Sequence, residues 1–339
     1  MSDKNRQFRL KSRPTGRIET GHFDFVEEAL PEISDGEALV RTLYLSLDPT
    51  NRIWMSDMDQ YMPPVGIGEV MRGGGIGQVV KSKSGRYPEG AIVSGITGWQ
   101  DYCVADEGER AMSVLPDGLP VDLPVMLGAC GMTGLTAYFG LLELGQPQPG
   151  NTVLVSAAAG AVGSVVGQIA KIKGCRAVGI AGGKEKCAHI VEELGFDAAV
   201  DYKAADWRDQ LVAATPDGVD VNFENVGGEI MEAVMTRMNL FSRMPLCGMI
   251  SGYNTGDPAM RADYSPILMR RITVRGFIVI DFMEKFAEGT MQLAQWVAEG
   301  KLKHRETIVD GLEKAPTAVN MLFDGTNVGK LVVKVADKA

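Results

Sequence analysis

The amino-acid sequence predicts an α/β protein in which a small, irregular β-barrel precedes a doubly wound parallel sheet. Three observations point to this. At 339 residues the chain exceeds what one hydrophobic core usually organises. Its first third reads as short strand-like runs separated by Gly- and Pro-rich connections. From about Leu127 onward, strand-like and helix-like runs alternate, the order that builds a parallel sheet with right-handed crossovers.

In the first third, residues 37–46 alternate apolar and polar side chains as a half-buried strand does. Residues 75–80, 91–94 and 100–105 are further strand candidates. A helix is expected over 127–144, ending at the turn with Pro147, Pro149 and Gly150. Strands then follow at 152–156, 176–181, 198–201, 219–224 and 244–247, with helices at 161–173 and 185–194. A helix over 291–300 precedes two last strands, Ile308-Val309 and 330–335, which return the chain to its first domain. The expected division is 1–126, 127–300 and 301–339.

Composition narrows the function. Hydrophobic residues at 45% and charged residues at 23% match an ordinary globular protein and argue against disorder. The net charge of -9 argues against a nucleic-acid partner. No apolar run is long enough to span a bilayer, and the polar residues 1–17 do not read as a signal peptide, so no membrane partner is expected. The five cysteines are scattered and none has C-x-x-C spacing, which suits a reducing, cytoplasmic compartment.

The strand at 152–156 runs into Ala157-Ala158-Ala159-Gly160-Ala161-Val162-Gly163, a dinucleotide fingerprint with Ala158 at the first glycine position. Gly160 admits the backbone to a pyrophosphate, and Gly163 lets the helix pack closely on the sheet. The first helical amides suit an anion. The next strand ends at Ala181-Gly182-Gly183 with no acid for a ribose hydroxyl pair, and Lys184 and Lys186 follow. A carboxylate there would repel a 2′-phosphate and a lysine attracts it, so the expected cofactor is NADPH.

Residues 132–138, 157–167, 225–228 and 248–254 together resemble the zinc-independent medium-chain dehydrogenases/reductases. The branch is that of leukotriene B4 12-hydroxydehydrogenase/prostaglandin reductase and curcumin reductase, and the likeness runs from Leu47-Asp48-Pro49 to Gly329-Lys330. It implies a GroES-like catalytic domain followed by a Rossmann domain, and a homodimer. It assigns Gly160, Ala161, Val162 and Gly163 to the pyrophosphate, and Gly183, Lys186 and Tyr202 to the 2′-phosphate region. It assigns Asn225, Cys247, Gly248, Ile250, Ser251, Tyr253, Phe277, Ile278, Val279 and Asn327 to the rest of the cofactor. Glu224 stands where relatives often carry Asp, a departure expected to matter little.

No metal is expected. The positions that carry zinc ligands in the related alcohol dehydrogenases read Asp48-Pro49 and Val70-Met71-Arg72 here, and the four-cysteine lobe is missing. The implied reaction is reduction of the carbon–carbon double bond of an α,β-unsaturated aldehyde or ketone. Tyr253 is the implied donor to the oxygen on which charge develops, since an ordinary phenol stays protonated at neutral pH. Tyr44, Arg52, Met55, Tyr61, Met62 and Tyr264 are candidates for an apolar, adaptable substrate pocket. Arg52 could instead tie down its own loop. An NADPH:quinone oxidoreductase is the alternative activity.

Overall fold

The computed structural model describes residues 4–119, 121–255 and 263–338. The chain divides into two compact units. The first is Met1–Leu127 with Thr307–Thr326 and Leu331–Ala339, and the second is Gly128–Glu306 with Asn327–Lys330.

The first unit begins with an antiparallel hairpin of β1 (Lys4–Leu10) and β2 (Phe23–Ala29). The sequence reading passed over both strands. The reason is that β1 turns polar side chains inward. Asn5 is fully buried, its amide donating to the Tyr102 carbonyl at 2.9 Å and accepting from the Tyr102 N–H at 2.9 Å. Burial there is satisfied by hydrogen bonds, so the apolar alternation that betrays a strand is absent.

Strands β3 (Ala38–Ser46), β4 (Gly74–Ser82), β5 (Ile92–Ile96), β6 (Tyr102–Ala105) and β7 (Ser113–Val114) follow, with the short helix α1 (Thr50–Trp54) after β3. The expected strands thus sit where the alternation placed them, with ends shifted by a few residues. One cluster, built on Phe8, Leu45, Leu47, Met55, Trp99 and Leu331, fills one side of this sheet. A second, around Val40, Val79, Tyr87, Val93 and Cys103, fills another.

The second unit carries helix α2 (Met132–Phe139). It starts later than the expected 127, because Gly131 is extended and the chain folds back on itself. The Gly134 N–H donates to the Gly128 carbonyl, and a Cβ on Gly134 would lie 1.9 Å from the Ala129 oxygen. Beyond it come β8 (Thr152–Val155), α3 (Gly163–Ile172), β9 (Arg176–Ala181), α4 (Lys184–Ala188) and β10 (Ala198–Asp201). The second half repeats the alternation with α5 (Trp207–Ala214), β11 (Val219–Phe223), α6 (Gly228–Met235), β12 (Met238–Leu246), α7 (Ser265–Arg270), β13 (Thr273–Gly276) and α8 (Phe286–Ala298).

The sheet order is β10-β9-β8-β11-β12-β13, parallel throughout. This is a Rossmann sheet. Its order reverses direction between β8 and β11, and in such sheets ligands bind at the strand C-termini beside that point. Leu154, Val178, Ile180 and Val200 from adjacent strands pack with Trp207, Leu211 and Val234 from the flanking helices. The chain ends with β14 (Glu306–Asp310) and β15 (Lys330–Lys334), giving the sheet order β14-β15-β3-β4-β5-β7, with β6 also paired to β3.

Candidate active site

The fingerprint turn is held by close packing. After the buried strand β8, Ala157 adopts a left-handed conformation at φ 52°, which costs a residue with a Cβ about 1–2 kcal/mol. The Ala158 N–H donates to the Ile180 carbonyl on β9 at 2.9 Å. The methyl of Ala158, extra relative to the usual glycine, occupies space that Gly179 leaves open, since a Cβ on Gly179 would lie 2.7 Å from it. A Cβ on Gly163 would approach the Ala157 oxygen to 2.4 Å, so only glycine fits where α3 meets the turn. The first helix-type bond joins Ser164 N–H to the Gly160 carbonyl. The amides of Ala161, Val162 and Gly163 therefore lie at the open end of α3, where they could hold a pyrophosphate. Asn327 is buried beside this turn. Its amide donates to the Gly329 carbonyl at 3.1 Å, and the Gly329 N–H donates to the Ala159 carbonyl at 2.9 Å.

The tip of β11 is held by a buried carboxylate. Glu224 is fully buried, and its Oε1 accepts from Val226 N–H (2.7 Å), Gly227 N–H (2.8 Å) and Ser156 Oγ–H (2.9 Å). Its Oε2 accepts from the Asn222 amide at 3.1 Å. Burial pushes this carboxyl above the ordinary value, and the hydrogen bonds from Gly227, Val226, Asn222 and Ser156 pull against it. Asn225 is fixed in turn, its N–H donating to Ser156 Oγ and its side-chain amide to the Ser156 carbonyl, each at 2.8 Å. Glu224 and Ser156 thus tie the end of the fingerprint strand to the end of β11. A single oxygen of Glu224 satisfies three groups at once.

The same tip positions the loop that carries Tyr253. The N–H groups of Cys247 and Gly248 donate to the Glu224 carbonyl, Ile250 N–H to Asn225, and Ser251 N–H to Val226. The Ser251 hydroxyl also donates to the Val226 carbonyl at 2.6 Å. The half-buried Tyr253 folds back over this loop, and its oxygen accepts from Met249 N–H at 3.1 Å. That bond uses a lone pair, so the phenolic proton is the donor the group presents to any other partner. Gly248 leaves the room, since its Cβ would come within 3.2 Å of the Tyr253 oxygen. The Cys247 thiol is pushed up to about 12, by burial first and by the Glu224 carboxylate second, so it is a poor nucleophile. Phe277 is buried, its ring against Phe223 and its edge filling the space beside Gly140. Ile278 and Val279 follow it, half-buried.

The tips of β9 and β10 stand side by side. Gly183, at φ 98°, opens α4, and Lys186 lies half-buried within that helix. The ring of Tyr202 covers Gly182, where a Cβ would lie 2.8 Å from it. These residues could hold a 2′-phosphate.

The substrate-pocket candidates divide. Arg52 is corrected: it is 4% exposed, and its guanidinium donates to the Pro14 carbonyl (2.8 Å) and the Ser56 hydroxyl (2.6 Å). It ties down its loop and does not line a pocket. Met55 is likewise core, fully buried among Phe8, Leu47 and Trp99. Met62 packs on the same cluster, partly buried. The Tyr61 hydroxyl bonds Thr50 and accepts from the Trp54 indole N–H at 3.0 Å. Tyr44 is half-buried on β3, and Tyr264 is exposed at the start of α7.

With this geometry established, the chain can be compared with known proteins. A family model described as the N-terminal domain of oxidoreductase matches residues 6–114, and one described as zinc-binding dehydrogenase matches 161–296. The NADPH-dependent curcumin reductase of Escherichia coli is 44% identical, over 98% of this chain and 97% of the relative. The chain belongs to the medium-chain dehydrogenase/reductase family. Prostaglandin reductase 1 of Mus musculus is 40% identical, over 96% of this chain and 97% of its own. The crystal structure of CurA from Vibrio vulnificus in complex with NADPH superposes with a TM-score of 0.93, at 45% identity, over 98% of this chain and 99% of the other. The reductase therefore has the family's mixed architecture of a β-rich domain and a Rossmann domain.

Despite the wording of the second family model, no three His, Cys, Asp or Glu side chains group as a metal site among the described residues. The three histidines each engage a near neighbour: His22 accepts from Glu19 N–H, His189 lies 3.0 Å from Glu193, and His304 lies 3.0 Å from Glu306. What the sequence reading of this reductase missed is the support beneath the site, Ser156 and Glu224 above all. A Ser at the end of β8 and a Glu at the end of β11 are the only local signals, and neither names the other.

Proposed function

We propose that the protein reduces the carbon–carbon double bond of an α,β-unsaturated aldehyde or ketone at the expense of NADPH. It is an NADP-dependent oxidoreductase acting on such bonds, a reading supported by its likeness over nearly its whole length to curcumin and prostaglandin reductases. The single observation that carries the finer reading is the anchored Tyr253 hydroxyl, on a loop tied to the same β11 tip as the fingerprint strand.

The fingerprint turn fits a dinucleotide, because Gly160 carries no side chain over it, Gly163 lets α3 start close against the turn, and three amides open toward it. When bound, NADPH supplies the hydride that adds to the substrate's β-carbon. The electron pair of the double bond then moves onto the carbonyl oxygen as an enolate. A hydrogen bond from the Tyr253 hydroxyl to that oxygen strengthens as charge develops, which is how a preorganised donor lowers a barrier. The Met249 N–H, by fixing the phenolic oxygen, limits the reorientation needed at that moment. A proton added to the α-carbon completes a saturated aldehyde or ketone. Lys186 and Tyr202 would hold the 2′-phosphate, and Asn225 and the loop at 247–253 the nicotinamide half.

The working form proposed is a homodimer in the cytoplasm. Strand β13 is exposed along its length at the sheet edge, and Leu240, Phe241, Leu268 and Met269 near it are exposed apolar side chains, a surface that suits a second copy. Five free thiols suit a reducing compartment. No described helix is long and apolar enough to cross a membrane.

The test follows NADPH absorbance with a 2-alkenal, an aryl enone, a cyclic enone, a simple quinone and a saturated aldehyde, with products identified by mass spectrometry. Saturated carbonyl products are expected. Turnover of the quinone alone would replace this reading with a quinone reductase, and an alcohol from the saturated aldehyde would overturn the choice of bond.

A further inference from the structure

The tip of β10 carries a second lysine, Lys203, next to Tyr202. Its backbone is fixed. Asp201 Oδ1 accepts from Gly183 N–H at 2.7 Å and from Lys203 N–H at 3.0 Å, so one carboxylate oxygen staples the turn after β9 to the turn after β10. Tyr202 N–H, between them, donates to the Ala181 carbonyl at 3.1 Å. On the outer side, Asp201 N–H donates to Gln210 Oε1 at 3.1 Å. These four bonds set Gly183, Lys186, Tyr202 and Lys203 on the adjoining ends of two parallel strands. Asp201 directs one oxygen at main-chain amides, where its charge is partly offset.

Burial first, and the Lys203 ammonium second, hold Lys186 below the usual lysine range. Among the described residues, neither lysine has a carboxylate within ion-pair distance. Two like charges without a counterion, one half out of water, disfavour each other, and a dianion between them would stabilise both.

We propose that Lys203 is a second, specificity-determining ligand for the 2′-phosphate of NADPH, and that Asp201 is the positioning residue that presents it with Lys186 and Tyr202. This rests on the NADPH reading above. Discrimination against NADH then comes from two strand tips: β9 omits the acid, and β10 supplies a cation. Lys203 is exposed, so a lysine's long reach suits a ligand that arrives from solvent.

The test is calorimetric binding of adenosine 2′,5′-bisphosphate and adenosine 5′-monophosphate, which differ only in the 2′-phosphate. The expected result for Lys203→Met is roughly tenfold weaker binding of the bisphosphate, with the monophosphate unchanged and Lys203→Arg restoring most of the loss. Asp201→Ala should lose the same selectivity, while Asp201→Asn, which keeps an acceptor, should retain most of it. Monophosphate affinity and melting temperature report whether each variant is folded. If Lys203→Met binds both ligands as the wild type does, or weakens both equally, the role of Lys203 is overturned. A wild type that does not distinguish the two ligands would overturn the NADPH reading itself.

Discussion

Two strand tips of the Rossmann sheet, at β11 and at β10, are each stapled by one carboxylate, and the difference between them is instructive. At β11, Glu224 is fully buried and satisfies two amides, a hydroxyl and a side-chain amide. At β10, Asp201 is half-buried, and its Oδ1 takes two amides near the surface. Burial makes the first a structural keystone, because its partners have no water to turn to. The second can be replaced in part by solvent, so its value lies in what it presents to a ligand.

The largest effect that would separate the two tips is expected from Glu224→Ala. It leaves the Val226 and Gly227 amides and the Ser156 hydroxyl without their acceptor, at about 3–5 kcal/mol in urea denaturation. A loss below about 1 kcal/mol would mean that the β11 tip is no more dependent on its carboxylate than the β10 tip. Next in size is Tyr253→Phe, which removes the donor that the β11 tip positions. It should lower kcat on the order of 10²-fold while leaving NADPH affinity within about twofold, measured by steady-state kinetics and by fluorescence titration. Unchanged kcat would assign the phenol to packing alone. Asp201→Ala should cost only about 1 kcal/mol of stability, since water can reach the amides it frees.

The smallest effect sharpens the comparison most. Glu224→Gln should stay within about 1 kcal/mol of the wild type. The Oδ1 of Asn222 has no hydrogen-bond partner, so a flip of that amide would let it accept from the new amide nitrogen. The same flip would serve a protonated Glu224. Because burial raises this carboxyl above the ordinary 4.5, the native state holds the proton more tightly than the unfolded chain does. The stability so contributed is complete below the ordinary value and is lost as pH rises through the raised one. Melting temperatures across that window should therefore move in favour of Glu224→Gln as pH increases, and a pH-independent difference would refute the raised titration.

Much of this site was legible because its signals are local. The run from Ala157 to Gly163 lies between a buried strand and an apolar helix, and the absence of an acid after β9 is read directly from Gly182 and Gly183. Arg52 and Met55 were ambiguous for the opposite reason. A cation or a thioether near an aromatic run looks the same whether it faces a pocket or a core, and their partners lie in segments remote in sequence, at Pro14 and Trp99.

By itself the sequence determined the alternation of strands and helices, the glycine-rich turn after the strand at 152–156 and the sign of the charge beside it, since periodicity, glycine spacing and residue type are properties of short segments. Only the tertiary structure decided that Asn5 builds a strand, that Arg52 braces a loop, and that Glu224 joins β8 to β11. Each depends on hydrogen bonds between groups distant in the chain, and a buried polar group becomes favourable only where the fold brings its partner within reach.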